Sequence, residues 1–419
     1  MTEESTLPAG ARRAGPWPGR VVLLVAAVWL AGFGLPRVWT ATGIGEGDRV
    51  FLDLEGLLAA GEAAQQGLDP YRPNPLDVYH RPHVYTAWWL VTGKLGLTRG
   101  DARWLGAVLA GLTLLGAVAL VRPAGGREAA LAGLVLTSPA LLMAVNRANN
   151  DLVAFLLMSG ALGLLRQSRA TPRGLGVVLL ALAAVLKYYP LAAGVVLLDA
   201  RTRREWLGWL VLYGLVLLLA WPALVPGLQA ALKYRPSPEW LYAFGAPVVF
   251  RNFGLAPPAG WLLAAGGLAV AAGLARGAAA GDDPGPDGRA AEREAAGGAA
   301  MVVACFALGS SYAYKLVFAV WLLPWLWRAG RPGTEERWRR VLLGLLLAVL
   351  WLEGLGSVLL NVLLPRDHSV LGLRLLAAVL LVSQLLTWAL VVGLLRHLLI
   401  FTRRRLARLF GRALAPAGP

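Results

Sequence analysis

Charged residues are scarce in this chain, and cysteine and histidine are nearly absent. Only 15% of the 419 residues are charged and 57% are hydrophobic, whereas soluble globular proteins carry about 25% charged and roughly 45–50% apolar residues. The single cysteine, Cys305, excludes an internal disulfide framework. These shortages argue against an ordinary soluble domain and against a small secreted domain held together by disulfides.

The chain also lacks the common short motifs of cofactor and metal chemistry. It contains no GxxxxGK[ST] phosphate loop, no HExxH pair and no CxxC pair. Its histidines, His80, His83, His368 and His397, are scattered. His80 and His83 lie close together but bracket Pro82, which makes them a weak pair of metal ligands. The sequence therefore predicts neither a metal site nor a cofactor.

Long apolar runs dominate the sequence. A membrane-spanning helix needs about 17–25 predominantly apolar residues. Charged residues divide the chain into about twelve apolar runs, two pairs of which, within 174–199 and 299–327, are each too long for one straight helix and short for two, and are predicted to break at KYYP and SSYAYK. The runs lie near 21–40, 103–121, 128–145, 151–165, 174–186, 188–199, 206–225, 258–275, 299–311, 313–327, 341–363 and 375–399. This pattern predicts an all-α polytopic membrane protein with about 10–12 transmembrane helices.

The runs imply one membrane domain over residues 21–399. It follows an N-terminal tail, 1–20, and precedes a basic tail, 400–419. Within it, the Gly-, Ala- and Pro-rich stretch 277–297 is typical of a flexible cytoplasmic linker.

Basic residues cluster at the ends of the runs and give a formal net charge of +16. Such clusters set the orientation of a membrane protein and contact anionic lipid, so the charge does not indicate nucleic-acid binding. Arg12, Arg13 and Arg20 place the N-terminus in the cytoplasm, and an even number of spans returns the Arg-rich C-terminal tail to the same side. We therefore predict a bacterial inner-membrane protein with both termini in the cytoplasm.

Alternation of the spans places a different set of polar segments on the external side. These are the 43–102 loop, NRANND at 146–151, KYYP at 187–190, the 226–257 loop, SSYAYK at 310–315 and PRDHS at 365–369. Any alternating count sends about half of the loops outward, but these segments carry Asn, Asp, Tyr and Lys between apolar runs. They predict one external cavity that faces a substrate.

The first external loop, 43–102, carries most of the acidic residues of the first half of the chain. Apolar residues at helical spacing over 49–66 predict an interfacial amphipathic helix, with Asp53 and Gly56 away from the apolar stripe. A second such helix is predicted over 85–95. The loop could equally be a solvated lid whose acids have no role.

The polar segments supply the candidate site residues. Asn149 or Asn150 can cap the following helix, or the segment can form an anion site together with Arg147. Lys187 can reach lipid headgroups or contact a phosphate inside a cavity. Candidate substrate- and phosphate-binding residues are Asn146, Arg147, Asn149, Asn150, Asp151, Lys187, Tyr188, Tyr189, Arg251, Tyr312, Tyr314 and Lys315.

Three segments resemble motifs of the bacterial GT-C membrane glycosyltransferases. Gly67-Leu68-Asp69-Pro70-Tyr71 resembles the G-x-D/N-P-Y element of the DUF2029 group, glycosyltransferase family 87, in which it follows an acidic residue in the first external loop. The segments 146–151 and Lys187-Tyr188-Tyr189-Pro190 resemble the Asn-rich and Lys-x-x-Pro motifs of that group. The chain departs from the group at 80–85, where HRPHVY replaces Tyr-Pro-Pro. This difference leaves the substrate open more than the reaction class.

The resemblance implies a GT-C-like glycosyltransferase that moves a hexose, mannose in some members, from a polyprenyl-phosphate donor to an extracytoplasmic glycan or glycolipid acceptor with inversion. The position of the family's acid matches Asp53, and Asp48 remains a rival because the loop length varies. One of them would serve as general base, while Arg147, Lys187 and Lys315 would stabilise the departing phosphate.

Two other functions remain open at this point. A multi-pass transporter or flippase for a lipid-linked or anionic substrate predicts internal repeats and charges at the middle of the bilayer. We find no convincing repeat, and Glu353 is the clearest mid-span acid, without a partner that the sequence identifies. A structural or assembly protein without catalysis is the third possibility.

Overall fold

The computed structural model describes residues 16–35, 42–44, 49–234, 241–252, 254, 257–276, 285–309, 311–327, 334–358 and 370–411. Predicted features at Asp48, 277–284, Ser310 and 365–369 lie outside the described residues. Within them the chain is predominantly α-helical.

The helices occur in this order: α1 (Trp17–Gly34), α2 (Leu52–Gln65), α3 (Val91–Lys94), α4 (Ala102–Val121), α5 (Gly126–Leu136), α6 (Pro139–Arg147), α7 (Asp151–Leu165), α8 (Ala170–Lys187), α9 (Arg203–Tyr234), α10 (Val248–Asn252), α11 (Pro257–Arg276), α12 (Gly285–Ala307), α13 (Leu323–Trp327), α14 (Thr334–Val358) and α15 (Val370–Phe410). Helices of the 3-10 type span Ala87–Leu90, Arg99–Asp101, Tyr189–Asp199 and Ala313–Leu322. Two short strands, β1 (Ala243–Phe244) and β2 (Ser311–Tyr312), pair antiparallel with Ala243 opposite Tyr312.

Six helical segments in the described part of the chain are long and apolar enough to cross a membrane: α1, the segment Arg99–Val121, α8, α9, Glu335–Val358 of α14 and Arg374–Phe410 of α15. The pair α5 and α6, bent by 55°, makes a seventh if it forms one span. Apolar side chains on these helices are exposed, for example Leu23 and Leu219, each 73% exposed, as expected where lipid covers them. The all-α polytopic class predicted from the sequence is compatible with this architecture.

The best-packed part of the interior lies between α7, α8, α12 and the 3-10 helix Ala313–Leu322. The rings of Phe155 and Trp321 stack with centroids 5.2 Å apart, and Trp321 Nε1 donates a hydrogen bond of 3.0 Å to Ser159 Oγ. Alanines of α12, including Ala295 and Ala299, are fully buried against this layer. Small residues allow the helix backbones to approach closely where lipid provides no driving force for association.

The interpretation of 277–297 as a flexible linker is wrong over 285–297, which forms the first half of α12. Its charged residues are paired with other segments of the chain: Glu294 with Arg166, Arg293 with Asp199, and Glu292 with Arg405. Glycine and alanine are numerous in this stretch because it packs closely, and its mixed charge reflects buried ion pairs. A buried helix can therefore have the same amino-acid composition as a solvated linker.

Polar segments interrupt the apolar runs at both places where the sequence predicts a break. α8 ends at Lys187, Tyr188 adopts a left-handed φ of 62°, and a 3-10 helix continues from Tyr189. α12 ends at Ala307, and strand β2 precedes the 3-10 helix that begins at Ala313. Broken helices are tolerated in membranes where the freed backbone is buried in protein. The predicted helix over 49–66 is also present, as α2.

Candidate functional site

Asp53 lies in the first turn of α2, and the chain before it fixes its direction. Phe51 has a left-handed φ of 62°, and its backbone N–H donates to Asn146 O at 2.6 Å. Its ring packs on Gly106, where a Cβ atom would lie 2.5 Å from the ring. Because these contacts attach the start of α2 to α6 and α4, the Asp53 carboxylate faces the C-terminal end of α6.

Asp53 is held by three cationic or amide groups. Arg147 donates from Nη2 to Oδ1 at 2.9 Å and from Nε to Oδ2 at 3.0 Å, a two-point geometry that favours arginine over lysine. Asn149 Nδ2 donates to Oδ2 at 2.6 Å and Arg81 Nη1 to Oδ1 at 3.2 Å. Burial raises the pKa of Asp53, whereas the charges and hydrogen bonds of Arg147, Arg81 and Asn149 lower it. The lowering is the larger effect, so the pKa of Asp53 is below its usual value. Asp53 is therefore ionised at neutral pH.

Arg81 is a site residue that the sequence reasoning missed. Its guanidinium binds Asp77 through Nη2–Oδ1 at 2.8 Å and Nε–Oδ2 at 3.0 Å, and Nη2 also donates to Leu52 O at 2.8 Å. Despite burial, which lowers the pKa of Arg81, its bonds to Asp77 and the charge of Asp53 raise it overall. The signal available in the sequence was an Asp and an Arg four positions apart in a proline-rich loop that carries the candidate base.

Asn149 joins Asp53 to a second buried carboxylate, Asp151. Its Oδ1 accepts hydrogen bonds from the Asp151 backbone N–H at 2.9 Å and from Lys187 Nζ at 2.9 Å. Lys187 Nζ also donates to Asn150 Oδ1. Asn150 is the N-cap residue of α7 and makes no side-chain capping hydrogen bond, whereas Asn149 Oδ1 accepts the first N–H of the helix. The anion site predicted for this segment stays a prediction.

Asp151 bridges two lysines deep in the protein. Lys187 Nζ lies 3.0 Å from Oδ1 and Lys315 Nζ lies 3.0 Å from Oδ2. The Asp151 side chain is fully buried, and those of the two lysines are 4% and 9% exposed. The ammonium groups also face aromatic rings, Lys187 over Tyr85 at 4.6 Å and Lys315 over Tyr189 at 4.0 Å. Two ammonium groups on one carboxylate leave one positive charge in excess.

We call this connected set the charge network: Asp53, Arg81, Arg147, Asn149, Asn150, Asp151, Lys187 and Lys315. Tyr312 flanks it, with the Arg147 guanidinium 5.3 Å from the ring centroid, and Tyr312 stacks on Tyr314 at 5.6 Å. The structure thus brings together candidate residues that are distant in the sequence.

Several buried polar groups beside the charge network have no hydrogen-bond partner among the described residues. They are Asn146 Nδ2, Asn150 Nδ2, Tyr188 OH and Tyr189 OH. Leaving a buried donor unsatisfied costs about 1–3 kcal/mol. All four atoms can donate, so an acceptor-rich ligand such as a phosphate or a sugar hydroxyl would satisfy them.

Two candidates, Arg251 and Asp48, belong neither to the charge network nor to the residues described beside it. Arg251 lies on α10, is exposed, and lines a separate apolar cavity of about 520 Å³ with Phe250 and Trp388. Asp48 lies outside the described residues.

Asp69 accepts a 2.9 Å hydrogen bond from the Tyr71 backbone N–H, which is the geometry of a turn.

The described residues contain no group of three or more His, Cys, Asp or Glu side chains that could hold a metal ion. His83 Nε2 lies 3.1 Å from Thr86 O, and His80 Nδ1 lies 3.3 Å from Asn74 O. Each ring thus has a backbone partner instead of facing a shared site.

Comparison of the chain with protein-family models, with curated proteins and with solved structures found no match.

Proposed function

We propose that the protein is an integral-membrane glycosyltransferase that moves a hexose from a polyprenyl-phosphate donor to a glycan or glycolipid acceptor with inversion. The observation that carries the proposal is the adjacency of an ionised carboxylate, Asp53, and a buried excess of positive charge around Asp151. A base beside an anion site is what this reaction needs, because a proton leaves the acceptor while negative charge develops on the phosphate.

In the proposed reaction, Asp53 removes the proton from the acceptor hydroxyl as its oxygen attacks the anomeric carbon. The bond between that carbon and the phosphate oxygen breaks, and its electron pair leaves with the polyprenyl phosphate. Lys187, Lys315 and Arg147 stabilise this leaving group. The unsatisfied donors of Asn150 and Tyr189 are available to the donor's phosphate and sugar oxygens.

Arg147 has two roles in this mechanism. In the absence of substrate, Arg147 binds Asp53 at two points. Burial raises the pKa of the Asp53 carboxylate, but Arg147 contributes to a net lowering, which makes Asp53 a weak base. A donor phosphate competes for the same guanidinium. Donor binding would thus release Asp53 and raise its basicity only when there is a sugar to transfer.

The membrane orientation is part of the proposal: 10–12 spans of the GT-C type, with the charge network on the external side of a bacterial inner membrane and both termini inside. Its support is that the Arg-rich segments at 166–173 and 201–204 contact each other, and that α7 and α8 separate them from Asp151 and Lys187 at the other ends of these helices. Arg201 Nη1 donates to Ser168 O at 2.8 Å, and Arg293 pairs with Asp199 at 2.9 Å. A basic end opposite a substrate site agrees with the distribution of basic residues across membranes.

The test is a transfer assay with the purified full-length chain in proteoliposomes, polyprenyl-phosphate hexoses as donors, and glycan and glycolipid acceptors. We expect Asp53→Asn to lower the transfer rate about 10²–10⁴-fold, while Asp69→Asn, which changes an exposed acid of the same loop, leaves it within about twofold.

Absence of transfer by the wild type from every donor would overturn the proposal, as would full activity of both Asp53→Asn and Asp48→Asn. If Asp48→Asn alone abolishes transfer, the base is Asp48 and the reaction class stands. Movement of the intact lipid-linked sugar across the bilayer without transfer identifies the alternative, a transporter or flippase.

A further inference from the structure

A second polar cluster lies away from the charge network, where α15 ends beside α12 and the 3-10 helix Tyr189–Asp199. We call it the arginine cluster and define it as Asp199, Glu292, Arg293, Arg404, Arg405 and Arg408. Its members come from three segments that are far apart in the sequence. None of them belongs to the proposed catalytic machinery.

Arginines outnumber carboxylates in this cluster. Three guanidinium groups contact Asp199: Arg293 Nη1 at 2.9 Å, Arg405 Nε at 3.2 Å and Arg408 Nη2 at 3.3 Å. Glu292 binds Arg404 Nη1 at 3.4 Å and Arg405 Nη2 at 3.2 Å. Counted without Arg404, three guanidinium groups face two carboxylates, which leaves one positive charge in excess among the other members of the cluster.

Backbone carbonyls at the ends of helices neutralise only part of this excess. Arg293 Nη1 donates to Leu165 O at 3.2 Å, and Arg408 Nη2 donates to Ala200 O at 2.9 Å. The end of a helix carries about half of a negative charge. The Arg293 side chain is 7% exposed, yet its Nε and Nη2 have no hydrogen-bond partner among the described residues.

The surroundings of the cluster identify the kind of anion. Its outer members, Arg404 and Arg408, have side chains that are 33% and 35% exposed, so an anion can reach them from outside. Beside them, Trp206 packs edge-on against Phe410 at 5.4 Å, and Arg203 lies 5.3 Å from the Phe410 ring. Aromatic rings and arginines at the end of an apolar helix are typical of the headgroup zone of a bilayer, and basic pockets between membrane helices bind anionic headgroups.

We propose that the arginine cluster binds the phosphate headgroup of an anionic phospholipid from the surrounding bilayer. The phosphate oxygens accept hydrogen bonds from Arg404 and Arg408 at the rim and complement the excess charge behind them. The bound lipid fastens the end of α15 to α12 and to the 3-10 helix at Asp199. This site is independent of the proposed glycosyl transfer.

The test uses the purified full-length protein in mixed micelles and native mass spectrometry to count retained lipid, with phosphatidylglycerol against phosphatidylcholine. We expect selective retention of phosphatidylglycerol by the wild type. The double variant Arg404→Ala/Arg408→Ala should bind it about thirtyfold more weakly, since each basic residue near a lipid surface contributes about fivefold. The control Arg204→Ala/Arg403→Ala removes the same charge from exposed arginines outside the cluster and should change binding less than about threefold.

Equal retention of the two lipids by the wild type would overturn the proposal, as would equal losses in the two double variants. Displacement of the lipid by millimolar inorganic phosphate would also overturn it, because the site would then prefer a free anion. Should the alanine variant not fold, the wild type decides the question alone: its melting temperature must rise with phosphatidylglycerol and not with phosphatidylcholine or inorganic phosphate.

Discussion

The Asp53 carboxylate and the Arg147 guanidinium form a two-point ion pair with N–O distances of 2.9 and 3.0 Å, although 94 positions separate the two residues. Both side chains are mostly buried, 11% and 14% exposed. This pair joins the first loop to the break between α6 and α7, so its strength determines how firmly α2 is held.

The pair predicts strong energetic coupling between the two positions. Asp53→Asn leaves the Arg147 charge buried without its main partner, and Arg147→Gln leaves Asp53 with Arg81 and Asn149. Breaking a mostly buried pair costs about 3–5 kcal/mol, but the second substitution should cost little after the first. A double-mutant cycle from thermal or denaturant unfolding should therefore give a coupling energy close to the cost of one single substitution, about 3 kcal/mol. Additive effects would mean that the pair contributes nothing to stability.

His83 predicts how stability depends on pH. Burial lowers its pKa to about 4, although a hydrogen bond to Thr86 O opposes this shift, whereas an unfolded histidine has a pKa near 6.5. The unfolded chain therefore binds the proton first as the pH falls. Stability is complete above pH 6.5 and is lost between 6.5 and about 4, by about 3 kcal/mol in total.

His83→Phe should remove most of this dependence, because phenylalanine can keep the ring contacts with Tyr71 and Tyr85 and does not titrate. Melting temperatures at pH 7 and pH 5 measure the effect, with His80→Asn, at an exposed position of the same loop, as the control. A wild type equally stable at both pH values would contradict the prediction. Asp53 acts at lower pH: its lowered pKa stabilises the fold above about pH 4 and that contribution is lost only below it.

The sequence predicted the parts of this site that depend on local patterns. Polar segments between apolar runs indicated the breaks at Lys187 and before Ala313, and helical spacing indicated α2 with Asp53 off the apolar stripe. These signals are local because an apolar run must end where polar residues enter it.

What the sequence did not predict depends on partners brought together by the fold. In the sequence, Arg81 is part of the HRPHVY segment at 80–85, which gives no sign of a contact with Asp53. Their ion pair forms where the contact of Phe51 with Asn146 attaches α2 to α6. Glycine and alanine in 285–297 indicated a linker, since composition does not show whether small residues are solvated or closely packed. No local pattern in the sequence indicated the ion pairs of Asp199, because its partners, Arg293, Arg405 and Arg408, come from two distant helices.

Asp151 should tolerate substitution less well than either of its lysines. Asp151→Asn leaves two ammonium groups buried without a carboxylate, whereas Lys187→Met or Lys315→Met leaves a neutral pair. We expect about 3–5 kcal/mol of destabilisation for Asp151→Asn and less for each lysine variant. The double variant Asp151→Asn/Lys315→Met should recover part of the loss in thermal unfolding. If it is less stable than Asp151→Asn alone, mutual repulsion of the lysines is not the cause.

Close contact between α2 and α3 predicts a glycine requirement. A Cβ atom on Gly61 would lie 2.7 Å from Gly93 N and would also clash with Thr92 Oγ1. Gly61→Ala should therefore displace α2 and destabilise the protein by about 1–3 kcal/mol. The control is Gly111→Ala in α4, where a Cβ atom would meet nothing within 4 Å and alanine should be neutral or stabilising by up to about 1 kcal/mol. Equal melting temperatures for the two variants would show that α2 can move without cost.

Glu353 contacts the residue that precedes β1. Its carboxylate accepts hydrogen bonds from the Tyr242 backbone N–H at 2.5 Å and from Ser383 Oγ at 2.7 Å. Tyr242 O in turn accepts from Ala313 N at 2.7 Å, and the next residue of β1 pairs with Tyr312, the ring beneath Arg147. Glu353 is therefore a positioning residue for the segment that carries Tyr312 and Lys315.

Glu353→Leu should leave the Tyr242 N–H buried without an acceptor, at a cost of about 1–3 kcal/mol, and should lower the proposed transfer as Tyr312 and Lys315 shift. Glu353→Gln keeps an acceptor for that N–H, so we expect stability and transfer near the wild-type level. The matched control is Leu346→Ala, a fully buried position of α14, which should destabilise the protein by about 2–5 kcal/mol. At a temperature where both variants remain folded, a loss of transfer in Leu346→Ala equal to that in Glu353→Leu would show that Glu353 acts only through global stability.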